Sequence, residues 1–339
     1  MPDKQALFWK PLKNKILQCQ LCPHFCTIAP DGVGKCGVRQ NQKGKLYSLV
    51  YGKAASIAVD PVEKKPLFHF LPGSAAFSFG TVGCNLKCEH CQNSTTSQAT
   101  PAKWHSYDIE PKEIVKKAIE EHCESIAYTY NEPTIFIEYA LETAKLARKK
   151  GLKNITVTNG FINPEPLREL CKYLDGSNVD IKSFDDEFYK KHTSARLAPV
   201  LECLKILKEE GVWFEMTNLL IPSLNDNPAK IKKMVVWIKN NLGTDYPLHF
   251  TAFFPAFKKT DLPPTSSAKL LKAREIALKA GLKYVYVGNV LSAKEENTYC
   301  PNPKCRKLLI EREYFNILQN NLKDGRCPEC NTKIAGVWS

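Results

Sequence analysis

The chain has 339 residues, 43% hydrophobic and 24% charged, the composition of an ordinary globular protein. No apolar run is long enough to cross a bilayer, and the start Met1-Pro2-Asp3-Lys4-Gln5 lacks the apolar core of a signal peptide, so a cytoplasmic protein is expected. The formal charge of +13 invites a nucleic-acid partner, but the lysines are scattered along helical patterns (Lys116, Lys117, Lys149, Lys150, Lys232, Lys233) and read better as solvated faces.

Fourteen cysteines without a secretion signal point to metal rather than disulfides. Cys123, Cys171 and Cys203 stand alone in helical patterns and are expected in the core. The other eleven fall into three groups. The first lies in a cysteine- and turn-rich segment, residues 1–70, where Cys19, Cys22, Cys26 and Cys36 suit structural zinc or an auxiliary 4Fe–4S cluster. The two readings stay open, with His24 a surface or capping residue.

Residues 71–292 alternate strand-like and helix-like runs. Strands are expected at 76–83, 125–130, 154–159, 179–182, 212–221, 248–254 and 284–287. A helix over 112–123 would bury Val115, Ala118, Ile119 and Cys123; one over 228–242 would bury Ile231, Met234, Val235, Ile238 and Leu242. Gly151, Gly211 and Gly281 each follow a charged helix end and precede a strand, as helix-terminating glycines do. Asn159, Asn218 and Asn289 stand near strand ends. Such alternation favours parallel strands with right-handed crossovers, and chemistry at the strands' carboxyl ends. Six or seven units are too few for an eight-fold barrel, so the expected fold is α/β, a partial (β/α)6 TIM-like barrel with small cysteine-rich metal-binding segments at both ends.

The second group, Cys84, Cys88 and Cys91, follows the first of these strands with CxxxCxxC spacing. Three soft thiolates on one short loop can hold three corners of a four-iron cube and leave the fourth iron open, whereas a structural site normally closes with four ligands. A zinc site borrowing His90 or His105 is the alternative.

In the third group, within residues 293–339, Cys300 and Cys305 precede Cys327 and Cys330 as two knuckles, the pattern of a zinc ribbon or rubredoxin-like site; zinc is favoured because nothing marks electron transfer.

The central motif, with Gly83 before it, resembles the signature of the radical S-adenosylmethionine (SAM) superfamily. The resemblance implies a cluster on Cys84, Cys88 and Cys91 whose open iron chelates SAM, reductive cleavage to a 5′-deoxyadenosyl radical, and hydrogen abstraction from a substrate. It places His90 near the adenine. Tyr130-Asn131-Glu132-Pro133 resembles the motif that binds the SAM amino group, and Thr158-Asn159-Gly160 with Asp180-Ile181-Lys182 resembles strand ends of glycyl-radical-enzyme activases such as the pyruvate formate-lyase activase. Asn131, Glu132, Asn159, Asp180 and Lys182 would therefore contact SAM or shape its pocket. The run from Asp60 to Gly73 (DPVEKKPLFHFLPG), with Gln92-Asn93, is similar to the radical SAM enzyme of the AmmeMemoRadiSam system. That implies Memo-like and AMMECR-like proteins as partners or a protein substrate, with a flavodoxin- or ferredoxin-like electron donor. The chain departs from the activases at Val157, Thr217 and Phe257, where they carry Asp, Arg and His, which weakens the reading of an activase installing a glycyl radical. A competing function is a non-enzymatic zinc protein with three structural sites that associates with nucleic acid.

Overall fold

The computed structural model describes residues 4–290 and 294–339. Its centre is an eight-stranded sheet: β1 (Ser56–Pro61), β2 (Ala75–Gly80), β3 (Ser125–Tyr128), β4 (Lys153–Thr158), β5 (Gly176–Asp180), β6 (Trp213–Leu220), β7 (Leu248–Ala252) and β8 (Val285–Gly288). The strands lie side by side in chain order. β2 to β8 are parallel, and β1 is an antiparallel edge on β2. β1 and β8 do not pair, so the sheet is a partial barrel and stays open. The edge strand β1 comes from the stretch before residue 71. The expected boundary at 292/293 lies outside the described residues.

Six crossovers join the seven parallel strands, each returning to the adjacent position, and right-handed connections of this kind stack their helices on one face. Local chemistry sets the helix ends. Helix α1 (Pro111–Glu120) starts on a capping box between Glu110 and Glu113 with Pro111 in its first turn. It buries Ile114, Val115 and Ala118; Ile119, expected inside, is 44% exposed. Glu120 ends the helix, three residues earlier than the periodicity suggests, and His122 turns left-handed. Helix α2 (Ile137–Lys149) follows β3. Between β6 and β7, Pro228–Asn241 is capped by the Asn227 side chain and buries Ile231, Met234, Val235 and Ile238 as expected. Gly151, Gly211 and Gly281 all have positive φ (79°, 71° and 105°), the conformation that stops a helix and turns the chain into the next strand. Cys123, Cys171 and Cys203 are buried.

The end segments are small antiparallel sheets packed on this core. Residues 4–5, 45–48 and 39–42 form one, and residues 9–11, 17–19 and 27–28 another. Residues 298–299, 308–313 and 316–320 form the third. The carboxyl-terminal segment is pinned to residues 68–70. Arg312, fully buried, donates to the Phe68 carbonyl at 2.7 Å, His69 Nδ1 lies 2.6 Å from the Ala335 carbonyl, and Phe70 bridges to Val337. The same run is fastened to the sheet by buried Glu215 of β6, which accepts the Phe68 and His69 amides at 3.0 and 2.7 Å and faces His249 at 2.7 Å. No helix among the described residues is long and apolar enough to cross a membrane.

Candidate active site

A cavity of about 620 Å³ opens over the carboxyl ends of the parallel strands. Its wall contains Cys84, Cys88, His90, Cys91, Asn131, Asn159, Asp180 and Lys182, eight of the nine residues singled out around the central cysteines. A groove of equal volume near Ile162 and Leu197 has no cysteine and no orphaned buried polar atom in its wall.

The cysteine loop follows β2. Gly83, at φ +90°, lets the loop press against the amino-terminal segment: a Cβ there would stand 2.7 Å from the Cys36 carbonyl. The loop is tied down by amides of Lys87 and Glu89 donating to the Thr193 and His192 carbonyls at 2.9 and 3.0 Å. Cys84 and Cys88 are buried and Cys91 is half-buried. Donors surround the sulfurs. The Leu86 amide reaches Cys84 Sγ at 3.4 Å, Asn159 Nδ2 reaches it at 3.8 Å, and the Ser97 hydroxyl lies 3.2 Å from Cys91 Sγ. Burial pushes the Cys84 thiol well up and the Cys88 thiol to about 12, so a metal must displace protons to bind them.

Around the cysteines each predicted residue has a distinct place. Asn131 donates through Nδ2 to the Gly83 carbonyl at 2.6 Å, while its Oδ1 is buried without a partner. His90 is 4% exposed with an unpartnered Nδ1; burial, then Lys182, lowers its pKa to about 3, so the ring is neutral. Asp180 and Lys182 form an ion pair at 2.7 Å. Burial opposes the charge on Lys182, but Asp180 and Cys88 outweigh it and hold the ammonium above its ordinary range. In the sheet register Asp180 pairs with Thr217 and Thr217 with His249, which explains why these three share one row of the wall.

Glu132 does not line the cavity. It is fully buried and accepts four hydrogen bonds: Thr134 N at 3.0 Å, Thr134 Oγ1 at 2.6 Å, Thr158 Oγ1 at 2.8 Å and Asn159 N at 2.8 Å. It braces the ends of β3 and β4. Asn159 relays this brace to the cysteine loop, donating to Asn85 Oδ1 at 2.9 Å as well as to Cys84. Asn218, expected near a strand end, is inside β6 and donates to the Ile181 carbonyl at 2.6 Å, away from the wall.

Sequence reasoning gave no role to the opposite wall, formed by Glu63, Lys64, Lys65, Pro66 and Phe68. The conspicuous run 60–73 was its only signal. Asp60 organises it, accepting from Lys64 at 2.8 Å, Lys65 at 2.6 Å and Tyr130 Oη at 2.8 Å. Burial would raise the Asp60 pKa; the hydrogen bonds from Lys64 and Lys65 outweigh it and hold the carboxyl well below the usual range. A depressed carboxylate pKa contributes stability above the unfolded value of about 4 and loses it as pH falls through the folded value. Asp60→Asn is therefore expected to lower stability at pH 7 and to converge with the wild type as pH falls below about 4, checked by urea unfolding across that range.

Four cysteines also meet in the carboxyl-terminal segment. The Sγ atoms of Cys300, Cys305, Cys327 and Cys330 all lie within 4.8 Å of one another, with Cys300–Cys330 at 3.5 Å and Cys305–Cys327 at 3.6 Å. A tetrahedral ion with Zn–S bonds of about 2.3 Å separates its sulfurs by about 3.8 Å. Hydrogen bonds from the Thr332 side chain and backbone lower the Cys330 pKa to about 6, so one thiolate is ready at neutral pH.

An open parallel sheet with its chemistry-bearing side chains gathered over the strand ends defines an α/β enzyme. Residues 79–235 match the Radical SAM superfamily. The chain is 44% identical over 333 residues to an uncharacterized protein of Methanocaldococcus jannaschii, with 98% of each covered. It is 28% identical over 238 residues to a protein of that organism named as a glycyl-radical enzyme activating enzyme, covering 68% of this chain and 84% of that one. It is 25% identical over 164 residues to the pyruvate formate-lyase-activating enzyme of Clostridium pasteurianum, covering 47% and 67%. In fold, Streptococcus suis SuiB bound to S-adenosylmethionine aligns with 71% of this chain and 56% of its own at a TM-score of 0.51 and 14% identity. The chain belongs to the radical SAM superfamily and is a radical SAM enzyme. The reading as a non-enzymatic zinc protein is set aside.

Proposed function

We propose that this enzyme cleaves SAM reductively at a 4Fe–4S cluster held by Cys84, Cys88 and Cys91, and that the resulting 5′-deoxyadenosyl radical abstracts hydrogen from a substrate in the same cavity. The observation that carries this is the conjunction of three thiolates and an orphaned acceptor, Asn131 Oδ1, in the wall of one cavity. The donor set fits the group: soft ligands for three irons, hydrogen-bond donors to the sulfurs, and an unpartnered oxygen for an ammonium. Bound there, the cluster and SAM supply one electron and a cleavable carbon–sulfur bond.

The chain's own residues bind and orient. Asn131 accepts from the SAM amino group. Lys182 offers its charge to the carboxylate or to the substrate, with Asp180 fixing its position. Neutral His90 packs near the adenine, and Asn159 positions Cys84. Glu132 acts through Asn159 and touches no ligand. A flavodoxin- or ferredoxin-like protein supplies the electron.

The substrate reading favours direct modification of a metabolite, lipid or protein side chain over installing a glycyl radical. Val157 and Thr217 stand in the cavity wall where the activases carry charged residues. Memo-like and AMMECR-like proteins are the proposed partners, on the resemblance carried by residues 60–73. The carboxyl-terminal quartet holds zinc and orders residues 294–339. Cys327→Ser is expected to lose about one zinc per chain and to expose this segment to proteolysis, as read by metal analysis and limited trypsin digestion, while the central iron remains.

The test is anaerobic reconstitution with iron and sulfide, then reduction in the presence of SAM. Formation of 5′-deoxyadenosine supports the reading; its absence from a fully loaded protein defeats it.

A further inference from the structure

We propose that Cys19, Cys22, Cys26 and Cys36 bind a second four-iron–four-sulfur cluster, set directly behind the loop that carries Cys84.

The four cysteines are neighbours. All of them, and no other cysteine, line one largely enclosed gap between the amino-terminal sheets and residues 134–135. They are not gathered as a single ion would gather them. In the carboxyl-terminal quartet the ligand atoms all fall within 4.8 Å of one another, and among the described residues no other set of three metal-ligating atoms does so. A zinc ion draws its sulfurs to about 3.8 Å, whereas a cube takes one thiolate per corner and holds them further apart. In this respect the amino-terminal quartet resembles Cys84, Cys88 and Cys91, which also fall outside the tight class.

A second observation concerns charge. Arg39 lines the same gap and is 1% exposed. Its Nη1 is paired with Glu138 at 2.9 Å, but its Nε is buried with no partner. A buried donor of this kind calls for an acceptor. Glu138 offsets the cation, so what the gap lacks is an acceptor, and a cube with four thiolates presents sulfur acceptors that would satisfy Nε. Arg39 marks the gap as a site for an acceptor group; the spacing of the sulfurs makes that group a cluster rather than a zinc tetrathiolate.

The position follows from two contacts. The Cys36 carbonyl lies against Gly83, the residue before Cys84, where only a glycine fits. His24, between Cys22 and Cys26, places Nε2 2.7 Å from the Asn85 carbonyl, the residue after Cys84. Both flanks of Cys84 are thus in contact with the loops that carry the amino-terminal quartet, so two clusters held here would be near enough to couple magnetically when both are reduced.

This inference does not rest on SAM cleavage, and its test separates the two. The full chain with Cys84→Ala, Cys88→Ala and Cys91→Ala is reconstituted anaerobically with iron and sulfide. It is expected to stay brown, to hold about four irons and four sulfides, and to give a paramagnetic resonance signal on reduction with dithionite. A colourless protein with a second zinc in place of that iron overturns the proposal. Should the triple variant fail to fold, Cys22→Ala in the otherwise native chain decides: iron falling from about eight to about four per chain supports the cluster, and zinc falling by one at unchanged iron refutes it. The native chain, fully reduced, should show a resonance broadened relative to that of either variant.

Discussion

Alanine at position 88 is expected to abolish 5′-deoxyadenosine formation, by at least three orders of magnitude, and to lower bound iron by about four per chain. Cys84 and Cys91 alone would leave two irons of a cube without protein ligands on a loop already held rigidly by its contacts to residues 192–193. That loop cannot swing another thiolate into place, because the other cysteines are committed elsewhere or sit singly in the core. The variant should fold, since removing a small buried thiol costs only a modest cavity. Measuring iron, circular dichroism and SAM cleavage on one sample separates loss of the cluster from loss of the fold. Retention of cleavage in an iron-replete Cys88→Ala protein would remove Cys88 from the site.

The second large effect is expected at Glu132, a residue outside the cavity wall. Glu132→Ala removes the acceptor for four donors at once, two of them backbone amides. Each buried donor left unsatisfied costs about 1–3 kcal/mol, so several kcal/mol should be lost from a fold whose total stability is of the order of 5–15 kcal/mol. Glu132→Gln keeps one oxygen but turns its NH2 toward a backbone amide that can only donate, while the threonine hydroxyls can reorient to accept, and it should fall between the wild type and alanine. Chemical denaturation gives the stability. Iron-to-protein ratio and SAM affinity give the positional effect, since Asn159 depends on Glu132 and holds Cys84 and Asn85. Unchanged stability in Glu132→Ala would show that the brace is not mechanical.

The parallel sheet was legible because its signals are local. A charged helix end, a glycine and an apolar strand recur at Gly151, Gly211 and Gly281, and each glycine adopts the left-handed turn its position implies. The cysteine spacings were legible for the same reason. What escaped the sequence is placed by distant contacts. β1 carries Ser-Ile-Ala-Val-Asp-Pro, without clean alternation and largely half-exposed, and only its pairing with β2 makes it a strand. Ile119 fits a helical stripe yet faces solvent, because Ile114 takes the inward position. Glu132 read from its motif as a residue that contacts SAM or shapes its pocket; that it is buried behind the wall, bonded to two backbone amides and two hydroxyls, is set by distant contacts. The run 60–73 stood out by resemblance, but its place in the cavity wall could not be read from it, since Glu215, 147 positions after Phe68, fastens it there.

The strip of chain that shuts one side of the reaction chamber is clasped from behind by the protein's last residues, through Arg312, Ala335 and Val337. Trimming the carboxyl terminus would strip that backing and leave the strip hanging on Glu215, without removing any cysteine over the strand ends.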